Sequence, residues 1–360
     1  MSRLLLVGRL CPRHRRIVRA GTTAGVDTGR VVGREGSTTP VLDARGRREV
    51  WAFCYQMLGS PFDAEDAAQD TFERAWRSRD RFDPDGGSHA AWVFRIARNV
   101  CIDRLRSASR RILPRDLQDP GIDVGAPLVP RLDVPWLQPA PSGWCGGDET
   151  AEAAAHAIDL RLAVTALLQD LPATQRAAFV LRDVLGYSAA ETAASLDVSV
   201  AAVNSSLQRG RATLRELAGP GQRTPDRRVL EDARVERYAR ALEAADAGEL
   251  ERLVTEDVLF EMPPVPAWSR GAGTYASFMR HHFDRRGGRW SARHTTANNQ
   301  PALLVYLATE RGPAPHTVQV FDTDASGQIC HVLVYQDPAL FRLFEGALDS
   351  GRDEFGGPRS

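Results

Sequence analysis

Between Asp63 and Trp76 five acidic residues stand against one Arg. On a helix, Asp63, Asp66, Asp70 and Glu73 would share one side, while Ala64, Ala68, Phe72 and Trp76 fall four residues apart as an apolar stripe. In an arbitrary sequence a carboxylate face of that kind more often faces only water. The next helical pattern, about residues 90–106, has the opposite sign. Val93, Ile96, Ala97 and Val100 would pack inward, and Arg95, Arg98, Asn99 and Arg106 would project outward, with Trp92 near the helix start. Arginines reach phosphates, and Asn or an exposed aromatic can bond or stack on unpaired bases. A third cluster follows Ser199. Asn204, Gln208 and Arg209 share an outer face with Ala201, Ala202, Ser205 and Arg211, and residues 199–215 hold three Arg and no acid. A basic helix tip of this kind suits the major groove.

The elements that must carry these groups are legible around them. Ser188-Ala189-Ala190-Glu191 is a capping box that opens a short helix, Leu196-Asp197-Val198 is a turn, and Ser199 caps a second helix. That is a helix-turn-helix layout, with Val203, Leu207 and Leu214 facing inward. Along the chain the texture divides as follows: a basic arm without periodicity (1–42), a helical domain (43–111), an acidic linker rich in Pro and Gly (112–150), a second helical domain (151–218), a connection (219–226), an α+β domain (227–345) and a disordered tail (346–360). In the α+β part, helices are expected near 227–254 and 273–284. Alternating strands are expected at 302–307, 316–323 and 328–336, the last two joined by a hairpin at Asp324-Ala325-Ser326-Gly327. The fold class is therefore multidomain, two all-α domains followed by an α+β one.

Composition excludes some classes. The 46 basic residues, all arginine, balance 46 acids, so any contact with nucleic acid must come from local patches rather than from net charge. The five cysteines are scattered and odd in number, which fits neither a disulfide framework nor a metal-binding spacing, and no metal or cofactor is expected. No apolar run approaches the roughly 20 residues needed to span a bilayer. A cytoplasmic protein with no membrane partner is expected.

Three stretches carry a resemblance: Tyr55-Gln56-Met57-Leu58-Gly59-Ser60, Asp63-Ala64-Glu65-Asp66-Ala67-Ala68-Gln69-Asp70-Thr71-Phe72 and Ala91-Trp92-Val93-Phe94-Arg95-Ile96-Ala97-Arg98-Asn99. They resemble region 2 of sigma-70 family factors of the extracytoplasmic-function branch, and residues 199–211 resemble region 4 of the same family. The resemblance implies that Asp63, Asp66, Gln69, Asp70 and Glu73 hold the β′ clamp coiled coil of core RNA polymerase. Trp92, Arg95, Arg98, Asn99 and Arg106 would face the melted −10 element. Ser199, Ala201, Ala202, Asn204, Ser205, Gln208, Arg209 and Arg211 would read the −35 element, with region 4 also meeting the β flap.

In such factors the two promoter elements lie roughly 60 Å apart, at about 3.4 Å per base pair. A linker of this length reaches about 130 Å extended and about 35 Å as a coil, so it would bridge the elements only when drawn out. The apolar stretch Asp133-Val134-Pro135-Trp136-Leu137-Gln138-Pro139 is expected to dock rather than float.

Beyond residue 227, Val258-Leu259-Phe260-Glu261-Met262-Pro263-Pro264 and Ala267-Trp268-Ser269-Arg270-Gly271 look like a SnoaL-like domain, a helix-backed curved sheet around a conical pocket. The resemblance makes Glu261, Trp268, Arg270 and His294 candidates to line that pocket, with an unidentified small molecule as the candidate ligand. His316 and His331 are further candidates for acid–base work. A regulatory domain is the expected role, and no catalytic residue is expected. Two other readings remain: a ligand-responsive helix-turn-helix regulator acting without polymerase, which leaves the acidic helix unexplained, and a SnoaL-like cyclase or isomerase.

Overall fold

The computed structural model describes residues 42–107, 110–144, 161–218 and 233–353, apart from Gly288 and Ala325. The basic arm, the 219–226 connection and the first residues of the second helical domain lie outside the described residues.

Three helices build the first domain. Helix α1 (Ala44–Leu58) starts where the Asp43 carboxylate accepts the Gly46 amide and stops at Gly59, whose left-handed φ of 68° ends the helix. Helix α2 (Pro61–Arg77) starts at Ser60, with proline in the first turn. Helix α3 (His89–Ser107) packs on both. Val50, Phe53 and Met57 of α1 meet the small Ala64, Ala67 and Ala68 of α2 and Phe94, Ala97 and Val100 of α3 in one core. Trp76 does not join that stripe. It is 63% exposed at the end of α2 with the Arg79 guanidinium 4.5 Å above its ring.

The second domain contributes α4 (Leu162–Leu168), α5 (Ala173–Phe179) with a π turn at Val180–Val184, α6 (Ala189–Leu196) and α7 (Val200–Ala218). Its core is continuous with that of the first domain. Arg176 of α5, 5% exposed, is the joint. It donates to the Met57 carbonyl at the end of α1 (2.5 Å), to the Gln169 side chain (2.9 Å) and backbone (2.8 Å), and to the Leu171 carbonyl (3.2 Å). Burial pulls its pKa down to about 10, so it remains a cation, and the carbonyls take the place of its water shell.

The α+β part holds α8 (Ala233–Glu243), α9 (Ala247–Leu253) and α10 (Ala272–Arg286) against a six-stranded sheet. The strands are β1 (Val254–Glu261), β2 (Trp268–Arg270), β3 (Trp290–Ala297), β4 (Gln300–Thr309), β5 (Gly312–Thr323) and β6 (Ile329–Tyr335), in the order β2-β1-β6-β5-β4-β3. Only the β1–β6 pair is parallel. The three expected strands are β4, β5 and β6. The expected helices near 227–254 are α8 and α9, separated where Ala245 takes a left-handed φ of 53°. The expected tail is a correction: α11 (Pro338–Asp353) runs on past residue 345, and Leu340, Phe341 and Phe344 anchor it on the sheet.

Side-chain alternation gives the sheet two different faces. Val258, Phe260, Phe321 and Val332 join α8–α10 in one core, and Leu304, Val318, Val320, Leu333 and Tyr335 join α11 in another. Three residues from outside the domain enter this second core: Leu113 and Leu137 of the linker and Leu162 of α4, each at most 1% exposed. The apolar stretch 133–139 thus docks as expected, and the linker is not drawn out. It follows the sheet, with bridges Gly121↔Trp268 and Pro141↔Ala297, and Trp136 and Leu137 are buried. Burying a leucine is worth roughly 2 kcal/mol, so three of them hold a segment that its Pro and Gly content alone would leave in solution.

Candidate polymerase and promoter interfaces

Helix α2 offers the expected acidic face. Ala64, Ala67, Ala68 and Thr71 are buried, and Glu65, Asp66, Gln69 and Glu73 are exposed. The expected set is not equally free. Asp63 pairs with Arg111, Asp70 with Arg104 at 2.7 Å, and Glu73 with Arg77 at 2.5 Å, while Gln69 donates to Glu65. Partial burial raises the pKa of Asp66, and the carboxylates of Asp63, Asp70 and Glu65 add to this against Arg104. The face is a concentrated negative field that a cationic partner would relieve.

Helix α3 buries Val93, Ala97 and Val100 and turns Asn99 and Arg106 outward. At its start Phe82, His89 and Trp92 form a three-ring cluster with centroids 5.2–5.5 Å apart, a surface on which an unstacked base can lie. Phe82 lies in the loop before the helix, and His89 is its first residue. Burial lowers the pKa of His89.

Arg95 and Arg98 are engaged elsewhere in the molecule. Arg95 Nη2 donates to the Ala194 carbonyl (3.1 Å) and Arg98 Nη1 to the Leu196 carbonyl (2.8 Å), both at the C-terminal end of α6. These are carbonyls that a helix end leaves without a partner, and cations belong there. Tyr187 adds a bond to Glu49 of α1 at 2.8 Å.

The helix-turn-helix is built as its sequence indicates. The Ser188 hydroxyl accepts the Glu191 amide (3.2 Å), and the Glu191 carboxylate accepts the Ser188 amide (2.7 Å), which lowers the Glu191 pKa. Asp197 closes α6 in a left-handed conformation (φ 55°), and Ser199 caps α7 through the Ala202 amide. Val203 and Leu207 pack inward, and Ser199, Ala201, Ala202, Asn204, Gln208 and Arg209 are exposed. Ser205 accepts from Arg209. Arg211 instead braces the domain, with a two-pronged contact to the nearly buried Asp183 at 2.9 and 2.5 Å.

The candidate pocket residues of the last domain do not converge. Glu261, fully buried, lies on the α11 side of the sheet, away from the core under α8–α10, because strand alternation sets it opposite Phe260. Trp268 sits on the edge strand and donates to the Gln118 carbonyl of the linker (2.7 Å). Arg270 is exposed beside Asp257, and His294 is exposed and contacts Glu236 at 2.7 Å. His316 stacks with His282 and Trp290 instead, and burial pulls both histidines down to about 4. No group of three or more metal-ligating side chains is found among the described residues. None of the described helices is long and apolar enough to cross a membrane.

A three-helix acidic–basic domain, a helix-turn-helix and a helix-backed curved sheet together define the class: a sigma-type promoter-recognition protein carrying a SnoaL-like domain. The family models agree, with sigma-70 region 2 matching residues 42–111, sigma-70 region 4 matching 161–214 and the SnoaL-like domain matching 235–333. The chain is 36% identical over 302 residues to the ECF RNA polymerase sigma factor SigG of Mycobacterium tuberculosis, covering 83% of this chain and 81% of that one. It is 32% identical over 170 residues to SigE of Mycolicibacterium smegmatis, covering 46% and 56%. The crystal structure of the extracytoplasmic-function factor SigJ of M. tuberculosis shares the fold (TM-score 0.53, 22% identity, 83% of this chain and 96% of that one). The chain belongs to the ECF RNA polymerase sigma factors.

Proposed function

We infer that the protein binds core RNA polymerase in the cytoplasm and directs initiation at promoters with −10 and −35 elements, and that its C-terminal domain restrains it. On this reading the parts are residues 43–111 as region 2, 112–150 as linker, 151–218 as region 4 and 227–345, extended by α11, as the regulatory domain. The α2 face of Asp63, Asp66, Gln69, Asp70 and Glu73 docks on the β′ coiled coil, region 4 meets the β flap, and the exposed face of α7 reads the −35 element. Trp92, Asn99 and Arg106, with Phe82 and His89, take the opened −10 strand. The C-terminal domain regulates and carries no catalysis, a reading supported by the divergence of Glu261, Trp268, Arg270 and His294.

One observation carries the restraint. Arg95 and Arg98 of the −10 helix are bonded to the end of α6, yet the two promoter elements are roughly 60 Å apart at 3.4 Å per base pair. The promoter-bound form must therefore break this contact, and the linker and α4 that would have to move are fixed in the C-terminal sheet.

Run-off transcription with core polymerase tests the reading, comparing the full chain with one ending at residue 225. Stronger initiation by the shorter chain supports restraint. Initiation by the full chain alone would make the C-terminal domain part of the working factor. Failure of both, with tight binding of the full chain to duplex DNA, would favour a regulator that acts without polymerase.

A further inference from the structure

Five charged side chains from five segments form one row beneath the linker. Glu261 of β1 accepts the backbone amide of Arg115 (3.0 Å), and its other oxygen lies 3.3 Å from the Arg115 guanidinium. That same oxygen is 2.9 Å from Nε2 of His331 on β6. The other ring nitrogen, Nδ1, is 3.6 Å from Asp322 of β5. Asp322 is in turn 3.3 Å from Arg161, just ahead of α4, and accepts from Gln300 of β4 at 2.8 Å. Gln300 also accepts the Leu162 amide at 2.6 Å. Glu261 is fully buried and His331 is 6% exposed.

We propose that the row Arg115–Glu261–His331–Asp322–Arg161 is a proton-operated clasp. With His331 charged it ties the linker and the head of α4 to the C-terminal sheet, and when the imidazolium gives its proton to water the clasp loosens.

The argument is one of donors. A charged imidazole has two N–H groups, one for each carboxylate, whereas a neutral ring has one and must turn a lone pair toward the other. The neutral ring keeps its N–H on Glu261 at 2.9 Å and turns its lone pair to Asp322 at 3.6 Å, and the row loses the positive charge that offsets its two buried carboxylates. The groups facing His331 from each packed element are Glu261 on β1, Asp322 on β5, and Arg115 on the linker, which opposes the proton. Arg161 lies beyond Asp322, and Cys330 is the neighbour on the same strand. Burial disfavours the charge on His331, but Asp322 and Glu261 outweigh burial and Arg115 and raise its pKa. The sign follows. Once the clasp opens and water screens the row, the histidine returns toward its ordinary value near 6.5. Closure is therefore favoured in full below that value and is lost as pH rises through the raised one.

This rests on the reading that the C-terminal domain restrains the sigma core, but its test needs no polymerase. Amide hydrogen exchange on the full chain, corrected for intrinsic rates, reads Arg115 and Leu162, whose amides are bonded across the clasp. In the wild type, protection at both should fall about tenfold from pH 6 to pH 9, while Phe53 in the core of α1 stays constant. In His331→Gln the profile at both amides should be flat. Wild-type protection independent of pH, or the wild-type slope in His331→Gln, would overturn the proposal. If His331→Gln does not fold, Arg161→Gln decides, because it changes the rim and leaves the histidine. It should lower Leu162 protection about tenfold at pH 6, while Arg115, whose bond to Glu261 is untouched, keeps its loss with rising pH. Unchanged protection at pH 6 in that variant would overturn the clasp. A flat result leaves the restraint itself to the run-off comparison, so the two readings fail separately.

Discussion

Asn298 at the tip of the β3–β4 hairpin is the point at which the C-terminal domain grips region 2. It is fully buried, with a left-handed φ of 51°. Its Nδ2 donates to the Tyr55 hydroxyl of α1 (2.9 Å), and its Oδ1 accepts the Ala140 amide of the linker (2.9 Å). Tyr55 passes its own proton to the Gln138 carbonyl at 2.9 Å. Asn298→Ala removes two side-chain bonds at about 1 kcal/mol each and leaves the Ala140 amide buried without that acceptor. It also puts alanine in a left-handed conformation that asparagine tolerates better. The sum is about 3 kcal/mol, on the order of a hundredfold in local opening. Hydrogen exchange at the Ala140 amide measures it, and exchange there should quicken by that factor. Asn298→Gly removes the conformational cost and keeps the bond loss, so it should show most of the effect. Exchange within twofold of wild type in both variants would refute the view that this tip holds region 2.

Other perturbations separate docking from folding. Asp66→Arg with Asp70→Arg should abolish binding to core polymerase in a pull-down while circular dichroism stays unchanged, because Asp66 is exposed and the Asp70–Arg104 pair, 44% and 31% exposed, is worth about 1 kcal/mol at most. Wild-type binding would sink the docking assignment. Arg211→Ala should destabilise region 4 by about 2 kcal/mol in thermal melts, since it strands Asp183, 8% exposed. Arg176→Met should cost about 3 kcal/mol in the same assay, by leaving the Met57 and Leu171 carbonyls unserved. Trp76→Ala should shift stability by less than about 0.5 kcal/mol, because the ring is mostly in water.

Local chemistry made the secondary elements readable in the sequence. The Ser188–Glu191 box, the Asp197 turn and the spacing of Val203 and Leu207 define the helix-turn-helix through contacts only a few residues long. The acidic face of α2 and the basic face of α3 follow from helical spacing in the same way. Trp76 shows the limit of spacing: it keeps the periodicity of the stripe but stays out of the core, with the Arg79 guanidinium and water over its ring.

Tertiary structure decided which charges are free. Arg95 and Arg98 point outward from α3 as spacing indicates, and what they meet there is the end of a helix about a hundred residues further along the chain. Glu261 and His331 looked like pocket residues in isolation. Strand alternation turns them away from the core under α8–α10, against a linker whose apolar stretch was expected to dock without any sign of where. A linker residue carries no periodic mark of the sheet it will cover, and a buried ion row leaves no local pattern, because its members come from segments distant in sequence. The elements were therefore written in the chain one at a time, and their mutual restraint arises only where Arg115, Arg161 and Asn298 close across them.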